Sequence, residues 1–118
     1  MSLAPRIDSI FVPARDTRGA ADWYRDVFGL TELFESAGYI GLGFAGGGTA
    51  LTLYPAESVD GGDHFRFNFY APDPEALHAA LESAGAAPTP ISTSGPIRYF
   101  EFRDIAGNRV NVCHVIHG

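Results

Sequence analysis

The chain has 118 residues, 46% hydrophobic and 19% charged, with 14 acids against 8 basic residues and a formal net charge of -6. That is one domain's length at an ordinary globular composition, which excludes intrinsic disorder and fibrous repeats; no run nears the ~20 apolar residues of a membrane helix. All the basic residues are arginine, and on so acidic a chain they offer no broad surface for phosphate, so nucleic acid is not an expected partner.

Residues 1–5 carry neither a basic stretch nor an apolar run, so no signal peptide is expected. Cys113 is the single cysteine, which excludes an internal disulfide and a cysteine-rich zinc site and suits a reducing, cytoplasmic setting. Ile7 to Val12 reads as a strand between Pro5 and Pro13. A helix follows, capped by Asp16 or Thr17, with Ala20, Trp23, Tyr24, Val27 and Phe28 at helical spacing and Gly29 placed to end it. Strands are expected at about 31–36, 39–44 and 50–54, with Gly46, Gly47 and Gly48 turning the chain before the last.

The second half repeats this order. His64 to Tyr70 reads as a strand whose Phe65, Phe67 and Phe69 alternate with His64, Arg66 and Asn68. Asp73-Pro74 starts a helix with apolar stripe Leu77, Ala80, Leu81 and Ala84, closed by Gly85. Strands are expected at about 87–91, 98–103 and 109–115, the first shortened by its Pro, Ser and Thr content. Both halves thus read βαβββ: Ser9 pairs with His64 at an offset of 55, Gly29 with Gly85 at 56, and 48–53 with 107–112 at 59. The segment 56–63, with Gly61-Gly62, joins two modules (about 5–55 and 64–116) of one α+β domain spanning 1–118, because ~55 residues make a marginal core alone.

Three stretches carry a family likeness: Ile7 to Val12 with Asp16; Trp23-Tyr24 through Phe28-Gly29-Leu30; and Tyr99-Phe100-Glu101-Phe102-Arg103-Asp104 with Gly107-Asn108. With the doubled βαβββ order, the chain resembles the vicinal oxygen chelate superfamily of glyoxalase I, bleomycin-resistance proteins and extradiol dioxygenases. The resemblance implies two modules forming a cupped mixed sheet with helices outside, and commonly a homodimer. It also implies, for catalytic members, a divalent metal held by His and Glu from the first and last strand of each module. Those positions fall here on Ser9, Thr52, His64 and Asn111. One imidazole with two hydroxyls and an amide is too weak and too neutral a set for a dication, so no metal cofactor is expected.

Alternation then lines the cup with Ser9, Phe11, Thr52, Tyr54, His64, Arg66, Asn68, Glu101 and Asn111, with Tyr99 as a further ring wall. Arg66 and Glu101 also read as an ion pair, Asn108 as a turn residue, Cys113 as a small interior side chain, and Trp23-Tyr24 as helix packing. His78 falls on a helix, His117 in the tail, and His114 alternates away from Asn111. The expected function is non-enzymatic binding of a small aromatic or peptide-like molecule. The alternative is a metal-dependent glyoxalase-like lyase or isomerase or a ring-cleaving dioxygenase. A third reading, a cup filled by its own side chains in an interaction module, is not separated from these by the sequence.

Overall fold

A computed structural model describes residues 3–60 and 64–115, so Gly61-Gly62 and His117 lie outside the described residues. The architecture is α+β, with the chain dividing into two compact units, Met1–Ser58 and Val59–Gly118. No helix among the described residues is long and apolar enough to cross a membrane.

The first unit runs β1 (Ser9–Ala14), α1 (Thr17–Phe28), β2 (Thr31–Ser36), β3 (Tyr39–Gly43) and β4 (Ala50–Pro55). Its sheet has the order β1-β4-β3-β2, with β1 parallel to β4 and the remaining pairs antiparallel. The Asp16 carboxylate accepts the Gly19 N–H at 2.9 Å and starts α1, and Gly29, at φ 69°, ends it. Ala37 and Gly38, both at positive φ, make the tight turn from β2 to β3 that matches the twist of paired strands. Val12, Ile40, Leu42, Leu51 and Leu53 are fully buried on one face of this sheet, as are Ala21 and Tyr24 of α1. The aromatic pair read as helix packing is that: the Tyr24 ring meets Trp23 edge-on at 5.1 Å and stacks on Phe28 at 5.8 Å.

The second unit runs β5 (Asn68–Tyr70), α2 (Pro74–Ser83), β6 (Ser92–Ser94), β7 (Ile97–Arg103) and β8 (Arg109–Val115), in the sheet order β5-β8-β7-β6. Asp73 accepts the Ala76 N–H at 3.1 Å, with Pro74 opening α2 as expected. Phe100, Phe102, Val110, Val112 and Leu81 form its core.

Three expectations are corrected in this unit. Regular pairing begins at Asn68, not His64. The strand expected at 87–91 is irregular, because Pro88 and Pro90 have no N–H to give. Thr89 ties that stretch to β7, its N–H donating to the Glu101 carbonyl and its Oγ1 accepting the Glu101 N–H, with Arg103 N–H on the Ala86 carbonyl just before it, and the ladder forms later at Ser92–Ser94. On α2, the side facing the sheet is Leu77, His78 and Leu81, not Ala80 and Ala84, which are exposed. His78 sets its ring edge against Phe100 at 5.1 Å, and its Nε2 lies 2.9 Å from the Thr89 carbonyl.

Candidate functional site

Period-two alternation fixes what the first unit's sheet shows on its side away from α1. Since Leu51 and Leu53 turn into the core, Ala50, Thr52 and Tyr54 turn the other way, and the parallel register puts Ser9, Phe11 and Pro13 beside them. Ser9 Oγ and Thr52 Oγ1 lie 2.7 Å apart and share a hydrogen bond, and Ser9 Oγ also donates toward the Ala50 carbonyl. Tyr39, Gly41 and Gly43 of β3 complete this side. Phe11 is 59% exposed and Tyr39 41%, and with Tyr54 they line a cleft of about 320 Å³. The Tyr39 and Tyr54 rings lie 6.4 Å apart with planes within 28°. A second hollow of about 410 Å³, beside Arg15, Pro55, Ala56 and Glu57, has no aromatic ring among the described residues of its lining.

Sequence reasoning missed Tyr39 and Phe34 here. A Cβ at Gly41 would come within 2.1 Å of the Phe34 ring, so that ring lies directly over the glycine, on the Thr52 side of the sheet. The available signal was Gly41 itself: a glycine inside a strand marks a close approach. The charged neighbours of Phe34 go the other way. Glu32 pairs with Arg18 of α1 at 2.5 Å, and Glu35 with the same guanidinium at 3.3 Å. That hydrogen bond from Arg18 holds the Glu32 carboxyl below the usual carboxylate range.

The second unit is polar where the first is aromatic. Asn111 stands opposite Asn68 and Glu101, and Asn68 Nδ2 donates to Cys113 Sγ at 3.3 Å. Glu101 does not pair with Arg66, as the sequence suggests. Its two oxygens take Arg109 Nε at 2.5 Å and Nη2 at 3.0 Å, and the Phe65 ring lies 4.4 Å from that guanidinium. Arg66 instead donates Nε to Asn108 Oδ1 at 3.0 Å and Nη2 to the Asp60 carbonyl at 2.8 Å.

The reason is a β-bulge. Arg66 N–H bonds the Arg109 carbonyl, and Asn111 N–H bonds the Phe67 carbonyl, so two residues, Arg66 and Phe67, stand opposite Val110 where one would in a regular ladder. The extra residue inverts the alternation upstream. Phe65 therefore joins the Arg109 side instead of Phe67 and Phe69, and Arg66 turns toward buried Asn108. His64 lies exposed before all of this.

The bulge also changes the internal alignment. Asn68 faces Asn111 as Phe11 faces Thr52, and with two residues opposite Val110 it is Phe65 that stands opposite Arg109, as Ser9 stands opposite Ala50, so Ser9 corresponds to Phe65, not His64. The four positions that the resemblance assigns to metal ligands are then two hydroxyls bonded to each other, an amide and a phenyl ring. That donor set does not fit a divalent cation: it has no carboxylate or imidazole. Among the described residues, no group of three or more His, Cys, Asp or Glu converges as metal ligands would.

Arg109 donating to Glu101 holds that carboxyl below the usual range. A depressed folded pKa gives stability that is present above the unfolded value of about 4.3 and lost as pH falls through the folded one. Glu101→Gln is therefore expected to cost about 1 kcal/mol at pH 7 and almost nothing at pH 2. Urea midpoints of both proteins at the two pH values check this; an equal gap at both would remove the ion pair from the account.

The description of the family model that matches residues 6–112 is Glyoxalase/Bleomycin resistance protein/Dioxygenase superfamily. Among solved structures, TnmS3, an antibiotic binding protein from Streptomyces sp. CB03234, is similar at 20% identity and TM-score 0.79, over 98% of this chain and 99% of its own. Lactoylglutathione lyase from Agrobacterium tumefaciens is similar at 23% identity and TM-score 0.75, over 96% of each chain. A putative glyoxalase family protein from Bacillus anthracis is similar at 15% identity and TM-score 0.79, over 98% of each. At such identities these structures show a shared fold. No curated protein matches the chain significantly.

Proposed function

The chain belongs to the glyoxalase/bleomycin resistance protein/dioxygenase superfamily, and from that premise we propose that it is a metal-free receptor that sequesters a small aromatic molecule. The observation that carries this reading is the shallow ring-lined cleft of the first unit, where Phe11, Tyr39 and Tyr54 leave apolar surface in water. The hydroxyl pair of Ser9 and Thr52 beside it supplies polarity without charge. Binding of an antibiotic, which the name of TnmS3 states for that protein, is the kind of task such a surface performs. Chemistry on a metal-held substrate would need donors that Ser9, Thr52, Phe65 and Asn111 do not supply.

Thermal unfolding of the purified protein against a panel of aromatic natural products and of Zn, Ni, Mn and Fe salts tests both halves of the proposal. A ligand at one hundred times its Kd adds about 2.7 kcal/mol to the folded state. At least one aromatic compound is expected to raise Tm, and no metal is. Stoichiometric metal retained through dialysis, or a panel without a single shift, overturns the reading.

A further inference from the structure

The ring geometry and the distribution of charge point to the class of molecule this cleft takes, on the reading that the cleft is a binding site: we infer that it selects flat, uncharged polycyclic aromatics. Tyr39 and Tyr54 are cross-strand neighbours, one step beyond the Ile40–Leu53 pair, and their planes lie within 28° at 6.4 Å. Rings so near to parallel turn their faces the same way. A cage for an alkylammonium group needs rings set at steep angles round one point, which the Tyr39–Tyr54 pair does not provide. Parallel faces are complementary to another plane, because offset stacking holds flat rings by contact over their whole face.

Charge decides the rest. The strand positions on this side include Ser9, Phe11, Tyr39, Gly41, Thr52 and Tyr54, with the Phe34 ring over Gly41, and none of them is an acid, an arginine or a histidine. The acids on the strand that carries Phe34, Glu32 and Glu35, are drawn to the helix side by Arg18. An ion brought into this cleft loses hydration and gains no counter-charge, whereas a neutral ring system loses little. The hydroxyls of Tyr39, Tyr54 and Ser9 suit a carbonyl or hydroxyl on the ligand's edge.

A series of equal shape separates these outcomes: acridone as the neutral member, 9-aminoacridine as the cation and acridine-9-carboxylate as the anion, each titrated calorimetrically. Acridone is expected to bind at least about tenfold more tightly than either charged analogue. Tyr39→Leu and Tyr54→Leu, checked for folding by circular dichroism, are each expected to weaken acridone about three- to tenfold. Tyr70→Leu, a more exposed ring on the second unit, is expected to leave its affinity unchanged. Equal affinity for all three acridines overturns the inference, as does an unchanged acridone affinity in folded Tyr39→Leu and Tyr54→Leu proteins. If aromatic natural products raise Tm while acridone does not bind, this inference fails and the receptor reading stands; if nothing in the panel binds, both fail.

Discussion

Replacing Asp104 with alanine is expected to lower the free energy of unfolding by about 3 kcal/mol. The side chain is 4% exposed, and its Oδ1 accepts the backbone N–H groups of Ala106 at 3.0 Å and Asn108 at 2.8 Å. Its Oδ2 accepts Asn108 Nδ2 at 3.0 Å, and Asn108 Oδ1 in turn accepts Arg66 Nε at 3.0 Å. Alanine strands the Asn108 N–H and Nδ2 donors in the buried interior, and each of these orphans costs its desolvation. The polarity of the chain also runs one way. Only an acceptor at position 104 lets Asn108 turn its amide N–H toward Asp104 and its oxygen toward Arg66. Asp104→Asn keeps the volume but sets one amide NH2 against another, and about 1.5 kcal/mol of loss is expected from that conflict. Urea unfolding of the two variants checks both numbers. A loss under about 1 kcal/mol for alanine would mean that water replaces the carboxylate, and that the turn before β8 is not fixed from within.

The same network separates what the sequence made legible from what it hid. The order βαβββ, the Asp16 and Asp73 caps, the Gly29 stop and the limits of β2 and β8 were all visible, because each depends on a few neighbouring residues. Arg66 and its surroundings were not. Strict alternation along 64–70 puts Arg66 on the same side as Glu101 and makes them partners, and only a long-range hydrogen-bond pattern reveals the extra residue that turns Arg66 away. A bulge inverts every side chain upstream of it, so one undetected residue moved Phe65 and Arg66 to opposite sides and supplied Glu101 with the wrong arginine. The count from Asp73 back to Asn68, equal to that from Asp16 back to Phe11, was the local clue to register, and it already separates His64 from the position of Ser9. In the first unit the pairing is regular between β1 and β4, and there Ser9, Phe11, Thr52 and Tyr54 do come together as alternation requires. The residues missed there, Phe34 and Tyr39, lie next to the bulge at Leu33 and at the first position of a strand, where alternation is weakest as a guide.

Two alanine substitutions on opposite sides of that one sheet are expected to differ about fourfold or more in cost. Tyr24 of α1 is fully buried and in contact with Trp23 and Phe28, so Tyr24→Ala removes a large ring from a close-packed interior and is expected to cost about 4 kcal/mol. Phe11 is larger than most core residues too, yet it is 59% exposed, and Phe11→Ala forfeits only the burial of its remaining surface, about 1 kcal/mol or less. A side chain retained at the core for packing and one held in water at the mouth of a cleft are thus told apart by stability alone. Function reverses the ranking. Folded Phe11→Ala protein is expected to lose affinity for the aromatic ligand by about tenfold, because a ring that contributes little to folding has its contact area available for a guest. The decisive comparison is chemical denaturation of the two variants beside the ligand affinity of Phe11→Ala. Should Phe11→Ala prove as costly to fold as Tyr24→Ala, its ring is committed to the protein's own interior, and the cleft would have no wall to offer a ligand.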